Sequence, residues 1–119
     1  DIELTTSEVP LLPYIRDIFP KLKLGLIMHN FIFQDWMSQG LVTNKIIGWT
    51  KMSQANVAHV PFSVLNRFGN ADLVNNLHKS ELLVHTHIFK GFEGKKNLSD
   101  VTKWKVDQCT IDDINLINE

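Results

Sequence analysis

His85 and His87 stand one residue apart in the alternating run Leu82 to His87, so both side chains fall on one face of a strand and could chelate a metal. Ser99 and Asp100 follow downstream, and an H-x-H with such a pair could serve a metal-dependent hydrolase. That chemistry also asks for a carboxylate base, yet no glutamate lies between Glu8 and Glu81. The hydrolase using His85 and His87 is therefore a distant alternative, and no metal ligand, catalytic residue or cofactor is assigned. A larger grouping lies between Lys90 and Lys103, which holds two glycines, four lysines and Phe92. Loops of this length inside a compact domain are uncommon and often functional. The single cysteine, Cys109, excludes an internal disulfide and a cysteine-based zinc site, and reads as a small buried hydrophobe. No phosphate-cradling glycine loop, nucleophile elbow or paired-carboxylate signature occurs, so the sequence points away from an enzyme.

These residues need elements to position them. Leu82, Val84 and Thr86 alternate with Leu83, His85 and His87, and in the return run Trp104, Val106 and Gln108 alternate with Lys105, Asp107 and Cys109. Both runs read as half-buried strands. Upstream, Leu22 to Trp36 is a long apolar run rich in β-branched and aromatic residues, read as a strand with Gly25 marking a bulge. Met37 to Asn44 reads as a turn and Asn44 to Ser53 as a short strand with an internal glycine, Gly48, beside Trp49. Val57 to Asn66 reads as a third strand whose Pro61 requires an edge or bulge. Leu73, Val74 and Leu77 space like one short helix, and Pro10, Pro13 and Pro20 leave room for another around Leu11 to Phe19. Ile111, Ile114 and Ile117 space like a C-terminal helix, a candidate surface for a protein partner. Residues 1–9 carry no periodicity and are expected to form a flexible arm, leaving residues 10–119 as a single domain.

The formal charge of −1 over 119 residues conceals a distribution. Seven acidic groups lie in residues 1–8 and 107–119 with no lysine or arginine among them, while the middle carries all twelve basic residues against six acids. An acidic frame around a basic centre is compatible with a polyanion partner. No apolar run approaches the roughly 20 residues a membrane helix needs, and the N-terminus lacks the pattern of a signal peptide. An intracellular protein without membrane association is expected.

Three strands, a helix, two more strands and a long fourth-to-fifth loop match an all-β fold with short helices, the five-stranded Greek-key barrel called the OB-fold. The segment VPFSVLNRFGNADLVNNLHKSELLVHTHIFKGFEGKKNLSDVTKWKV resembles the third strand, helix and closing hairpin of OB-folds in telomere end-binding proteins and replication protein A. YIRDIFPKLK is similar to the lead-in of related single-stranded DNA-binding subunits. The resemblance implies a nuclear module of a telomere-protection or genome-maintenance complex that binds single-stranded DNA, or RNA, beside a protein partner subunit. It implies base stacking and phosphate contact by Trp49, Lys51, Phe62, Arg67, Phe68, Lys90, Phe92, Lys95, Lys96, Lys103 and Lys105. The alternative is an OB-fold acting mainly in protein–protein assembly through Ile111, Ile114 and Ile117.

Overall fold

A computed structural model describes residues 2–88 and 95–112, with the side chain of Lys95 excepted. The chain alternates strand and helix. β1 (Glu3–Thr6), α1 (Leu11–Ile18), β2 (Lys23–Ile27) and a 3₁₀ turn (Asn30–Ile32) lead into α2 (Gln39–Met52) and β3 (Val57–His59). There follow α3 (Phe62–Phe68), α4 (Asn70–Lys79), β4 (Leu83–Ile88), α5 (Lys95–Lys103) and β5 (Gln108–Ile111). The strands form one sheet in the order β1-β2-β3-β4-β5, and every neighbouring pair is parallel. The result is an α/β half-barrel, so the all-β OB-fold expectation is wrong. Parallel neighbours cannot be joined by hairpins and need helical crossovers; here the crossovers come from segments whose composition imitates strands.

The clearest such segment is α2. Its buried residues Val42, Thr43, Ile46 and Thr50 recur at helical spacing, although all four are β-branched. The Thr43 and Thr50 hydroxyls donate to the carbonyls of Gln39 and Ile46, four residues back, which satisfies their polarity within the buried stripe. Ser38, expected in a turn, accepts from the Leu41 N–H and caps the helix. The short strand expected over Asn44 to Ser53 is therefore the body and end of a helix. Likewise, only Val57–His59 of the expected third strand is extended, because Pro61 opens α3 by accepting from the N–H groups of Val64 and Leu65. The long strand expected over Leu22 to Trp36 stops at Ile27.

Other expectations hold at the level of elements. The helix read around Leu73 to Leu77 forms as α4, the short proline-flanked helix as α1, and the first of the two last strands as β4, whereas the run expected over Trp104 to Cys109 is a turn up to Asp107 and β5 begins only at Gln108. Those last strands are parallel, with α5 between them where a loop was expected. Glu3–Thr6, in the stretch expected to be an arm, form an edge strand, and Ile111 ends β5. Ile114 and Ile117 lie outside the described residues.

Side-chain alternation divides the sheet into two unlike faces. Leu24, Leu26, Ala58 and Val84 point to the helices and pack with Leu12, Val42, Ile46, Leu65, Leu73 and Leu77 in one apolar core. Each fully buried leucine contributes about 1.5–3 kcal/mol through burial alone. The opposite face carries Glu3, Lys23, Gly25, Val57, His59, His85 and His87, a largely polar set. At the other end of the sheet Arg16 ties three segments together. Its guanidinium donates to the carbonyls of Pro20, Leu22 and Gln54 and to Asn56 Oδ1, which also accepts from the Leu24 N–H.

Candidate functional site

The polar face gathers three titratable side chains from three strands. Glu3 of β1 reaches across β2, and its Oε2 lies 2.7 Å from Nε2 of His59 at the end of β3. The partnership depends on Gly25 between them: a Cβ there would fall 2.7 Å from Glu3 Oε2 and 2.8 Å from His59 Nε2. Only a residue without a side chain lets the carboxylate and imidazole meet above the backbone. His85 of β4, paired in register with His59, packs its ring edge-on against the His59 ring at 4.7 Å between centroids. Its Nδ1 lies 3.6 Å from Glu3 Oε1, and Lys23 Nζ lies 3.6 Å from the same oxygen.

His85 is almost entirely buried, and its Nδ1 has no hydrogen-bond partner among the described residues. Burial holds its pKa below the ordinary imidazole value; the Glu3 carboxylate pulls upward, His59 and Lys23 push down, and Asp107 pulls weakly upward. The ring is thereby favoured in its neutral form, with a lone pair available to a proton or an electrophile.

His59 also lines a cavity of about 360 Å³ at the C-terminal ends of β2 to β5, with His29, Asn30, Pro61, His87 and Thr110 on its other walls. His87 Nε2 meets Asp112 Oδ1 at 2.7 Å on this rim. Ser63, in the first turn of α3, donates to Asn30 Oδ1 at the start of the 3₁₀ turn after β2. An imidazole held by a carboxylate at the wall of a cavity can take a proton from a bound molecule and return it.

No protein-family model matches the chain, and no curated protein sequence matches it. Among solved structures it is similar to the type I 3-dehydroquinate dehydratase of Clostridium difficile, solved with covalently modified comenic acid, at TM-score 0.55 and 17% identity over 86% of this chain. It is also similar to the 3-dehydroquinate dehydratase of Geobacillus kaustophilus, at TM-score 0.56 and 11% identity over 87% of this chain. The shared fold is TIM-barrel-like. The chain spans 43% and 45% of the two dehydratases, less than half of each. In barrels of this kind the active site is built at the C-terminal ends of the strands, where the cavity lies.

The resemblance to telomere end-binding proteins and replication protein A is overturned by this fold, and single-stranded DNA binding, telomere protection and a nuclear location fall with it. The expectation of a non-catalytic module rested on the same resemblance and loses its support, and the two structures that share the fold are both dehydratases. Among the described residues no helix is long and apolar enough to cross a membrane.

The residues expected to contact nucleic acid sit on separate elements. Trp49 and Lys51 are on α2, where Lys45 Nζ stands 5.2 Å from the Trp49 ring centroid. Phe62 opens α3 and stacks on Trp104, the Arg67 guanidinium pairs with Asp35 and lies over the Phe68 ring, and Phe68 is buried. Lys96 pairs with Asp100 one helical turn on, whereas Lys103 and Lys105 are exposed near the end of α5. Lys90, Phe92 and the Lys95 side chain lie outside the described residues. His85 and His87 do share a strand face, but His85 converges on His59 and Glu3, while His87 turns to Asp112. Ser99 and Asp100 are on α5 and join neither histidine in the cluster.

Sequence reasoning missed Glu3, His59 and the role of Gly25. The available signal was weak: Glu3 lies in a stretch without periodicity, and His59 only follows Val57 at strand spacing.

Proposed function

We propose that this chain is the site-bearing half of a barrel enzyme that moves a proton on a small polar substrate, in the manner of a dehydration. The observation that carries this reading is the His59 imidazole on the wall of the cavity at the C-terminal ends of the strands, with the Glu3 carboxylate holding it from behind. In a dehydration a base removes the proton beside a carbonyl and the β-hydroxyl leaves as water after protonation. His59 is the group placed to exchange that proton. Glu3 positions it: with the Nε2–H donated to the carboxylate, Nδ1 is the acceptor nitrogen. His85 backs the pair from the buried side as a neutral imidazole. Support for the reaction class comes from the names of the two dehydratases with this fold, and 3-dehydroquinate is the first substrate to try.

The test is a steady-state assay of β-hydroxy carbonyl compounds, 3-dehydroquinate first, following formation of the conjugated product by ultraviolet absorbance. The expected outcome is turnover that falls roughly 10²–10⁴-fold in His59→Gln. Gly25→Ala, which removes no titratable group but drives a methyl between Glu3 and His59, should lower kcat more than it raises KM. Turnover that survives His59→Gln unchanged, or its absence throughout the panel, would overturn the reading.

A further inference from the structure

Glu3, His59 and His85 each offer one ligand atom, and these atoms all lie within 4.8 Å of one another. Two imidazole nitrogens and one carboxylate oxygen form a donor set suited to zinc and its divalent transition-metal neighbours, whereas calcium and magnesium prefer oxygen alone. The three residues come from β1, β3 and β4, so the sheet itself holds them at fixed separation.

A second observation points to a ligand. His85 is 3% exposed, and its buried Nδ1 has no hydrogen-bond partner among the described residues. An orphaned polar atom in such a place is unfavourable unless something fills its lone pair or takes its proton. The nearest oxygen of Glu3 is 3.6 Å away, too far for a hydrogen bond. That separation is close to the roughly 3.4 Å between two donors that share a tetrahedral ion through bonds of about 2.0–2.1 Å. The contact between His59 Nε2 and Glu3 Oε2, at 2.7 Å, is shorter; there a shared proton occupies the place an ion would take, and the two groups must part slightly to admit it.

We propose that Glu3, His59 and His85 form a binding site for one divalent transition-metal ion of the zinc type, reachable from the cavity that His59 lines. This uses the same residues as the proton-transfer reading, without depending on turnover. The two occupants exclude one another, because an ion on His59 Nε2 takes the Glu3 carboxylate and leaves the ring proton on Nδ1, the nitrogen that proton transfer requires free. Lys23, 3.6 Å from Glu3 Oε1, opposes the ion by its charge and competes for the carboxylate. Removing that ammonium strengthens binding.

The experiment is a cobalt(II) titration of the chelator-treated protein followed by visible absorption, with zinc calorimetry alongside and no substrate present. One equivalent should bind and produce the intense bands of low-coordinate cobalt. His85→Gln and Glu3→Gln should each weaken binding roughly ten- to hundredfold, Lys23→Met should strengthen it, and His78→Gln, in a separate pair with Asp107, should leave it unchanged. Should the site variants fail to fold, zinc added to wild-type protein labelled with ¹⁵N-histidine gives an independent readout: the ring nitrogens of His59 and His85 shift, and those of His78 do not. Absence of cobalt bands, undiminished binding in His85→Gln, or zinc-induced shifts confined to other histidines would overturn the proposal. Metal binding by a protein that shows no dehydratase turnover even when chelator-treated would sink only the functional reading, and turnover by a protein that binds no metal would sink only this one.

Discussion

His85 concentrates the tension in this molecule, since a titratable side chain is buried on the open face of a sheet beside a carboxylate, a second imidazole and a lysine. Its pKa in the folded protein lies below the ordinary 6.5, chiefly because burial penalises the imidazolium. Well above that value the ring is neutral in both folded and unfolded chains and contributes no pH dependence. As pH falls through 6.5 the unfolded chain takes up a proton that the folded one refuses, so stability declines. Urea denaturation of chelator-treated protein between about pH 7.5 and about pH 5.5 should show this decline, and His85→Gln should flatten it. Identical slopes in the two proteins would mean that His85 is not the group responsible. The sequence exposed part of this site. His85 and His87 were legible as a same-face pair because strand alternation is local, but the neighbours of His85 come from distant parts of the chain: Glu3 and His59 are themselves 56 residues apart.

At the scale of elements, α2 shows why the sequence was misleading. The apolar residues it turns inward, Val42, Ile46 and Ile47, are β-branched, and Gly48 interrupts it, so both composition and propensity favour a strand there. Packing overrules them: the stripe through Val42, Ile46 and Thr50 closes over the sheet, and a helix is the conformation that brings all three to one side. Gly48 serves no contact that requires a glycine, because a Cβ at this position meets nothing within 4 Å. Gly48→Ala should therefore stabilise the protein by about 0.5–1 kcal/mol. Thermal or urea unfolding measures it, and a destabilised variant would refute the helical assignment of that turn. Leu73, Val74 and Leu77 gave α4 correctly because their helical spacing is uninterrupted by glycine or proline. Arg16 left no trace in the sequence, since a single arginine says nothing of the carbonyls that will surround it.

Across the whole molecule the sheet has two unequal classes of strand. β2, β3 and β4 are paired on both sides, while β1 and β5 have one neighbour each among the described residues. Barrels remove their edges by closing, and a half-barrel keeps two. Hydrogen–deuterium exchange should thus find the slowest amides in Leu24 to Leu26 and Val84 to Thr86, with β1 and β5 exchanging orders of magnitude faster. Protection of both edge strands equal to that of β3 would instead mean that further structure closes the barrel in solution. The polar face belongs to the same geometry: Lys23, Glu3, His59 and His85 line what would be the interior of a closed barrel.

By itself the sequence determined where apolar and polar residues alternate, the existence of β4, α1 and α4, the impossibility of an internal disulfide, and the shared face of His85 and His87. All of these depend on residues close together in the chain. The tertiary structure decided the direction of the strands, the helical state of α2 and α3, and the meeting of Glu3, His59 and His85. Strand direction is fixed by which helices can cross over and bury their stripes against Leu24, Leu26 and Val84. That choice is a property of the packed core as a whole, and it is the choice that turns an apparent nucleic-acid barrel into a parallel half-barrel with a site at its open face.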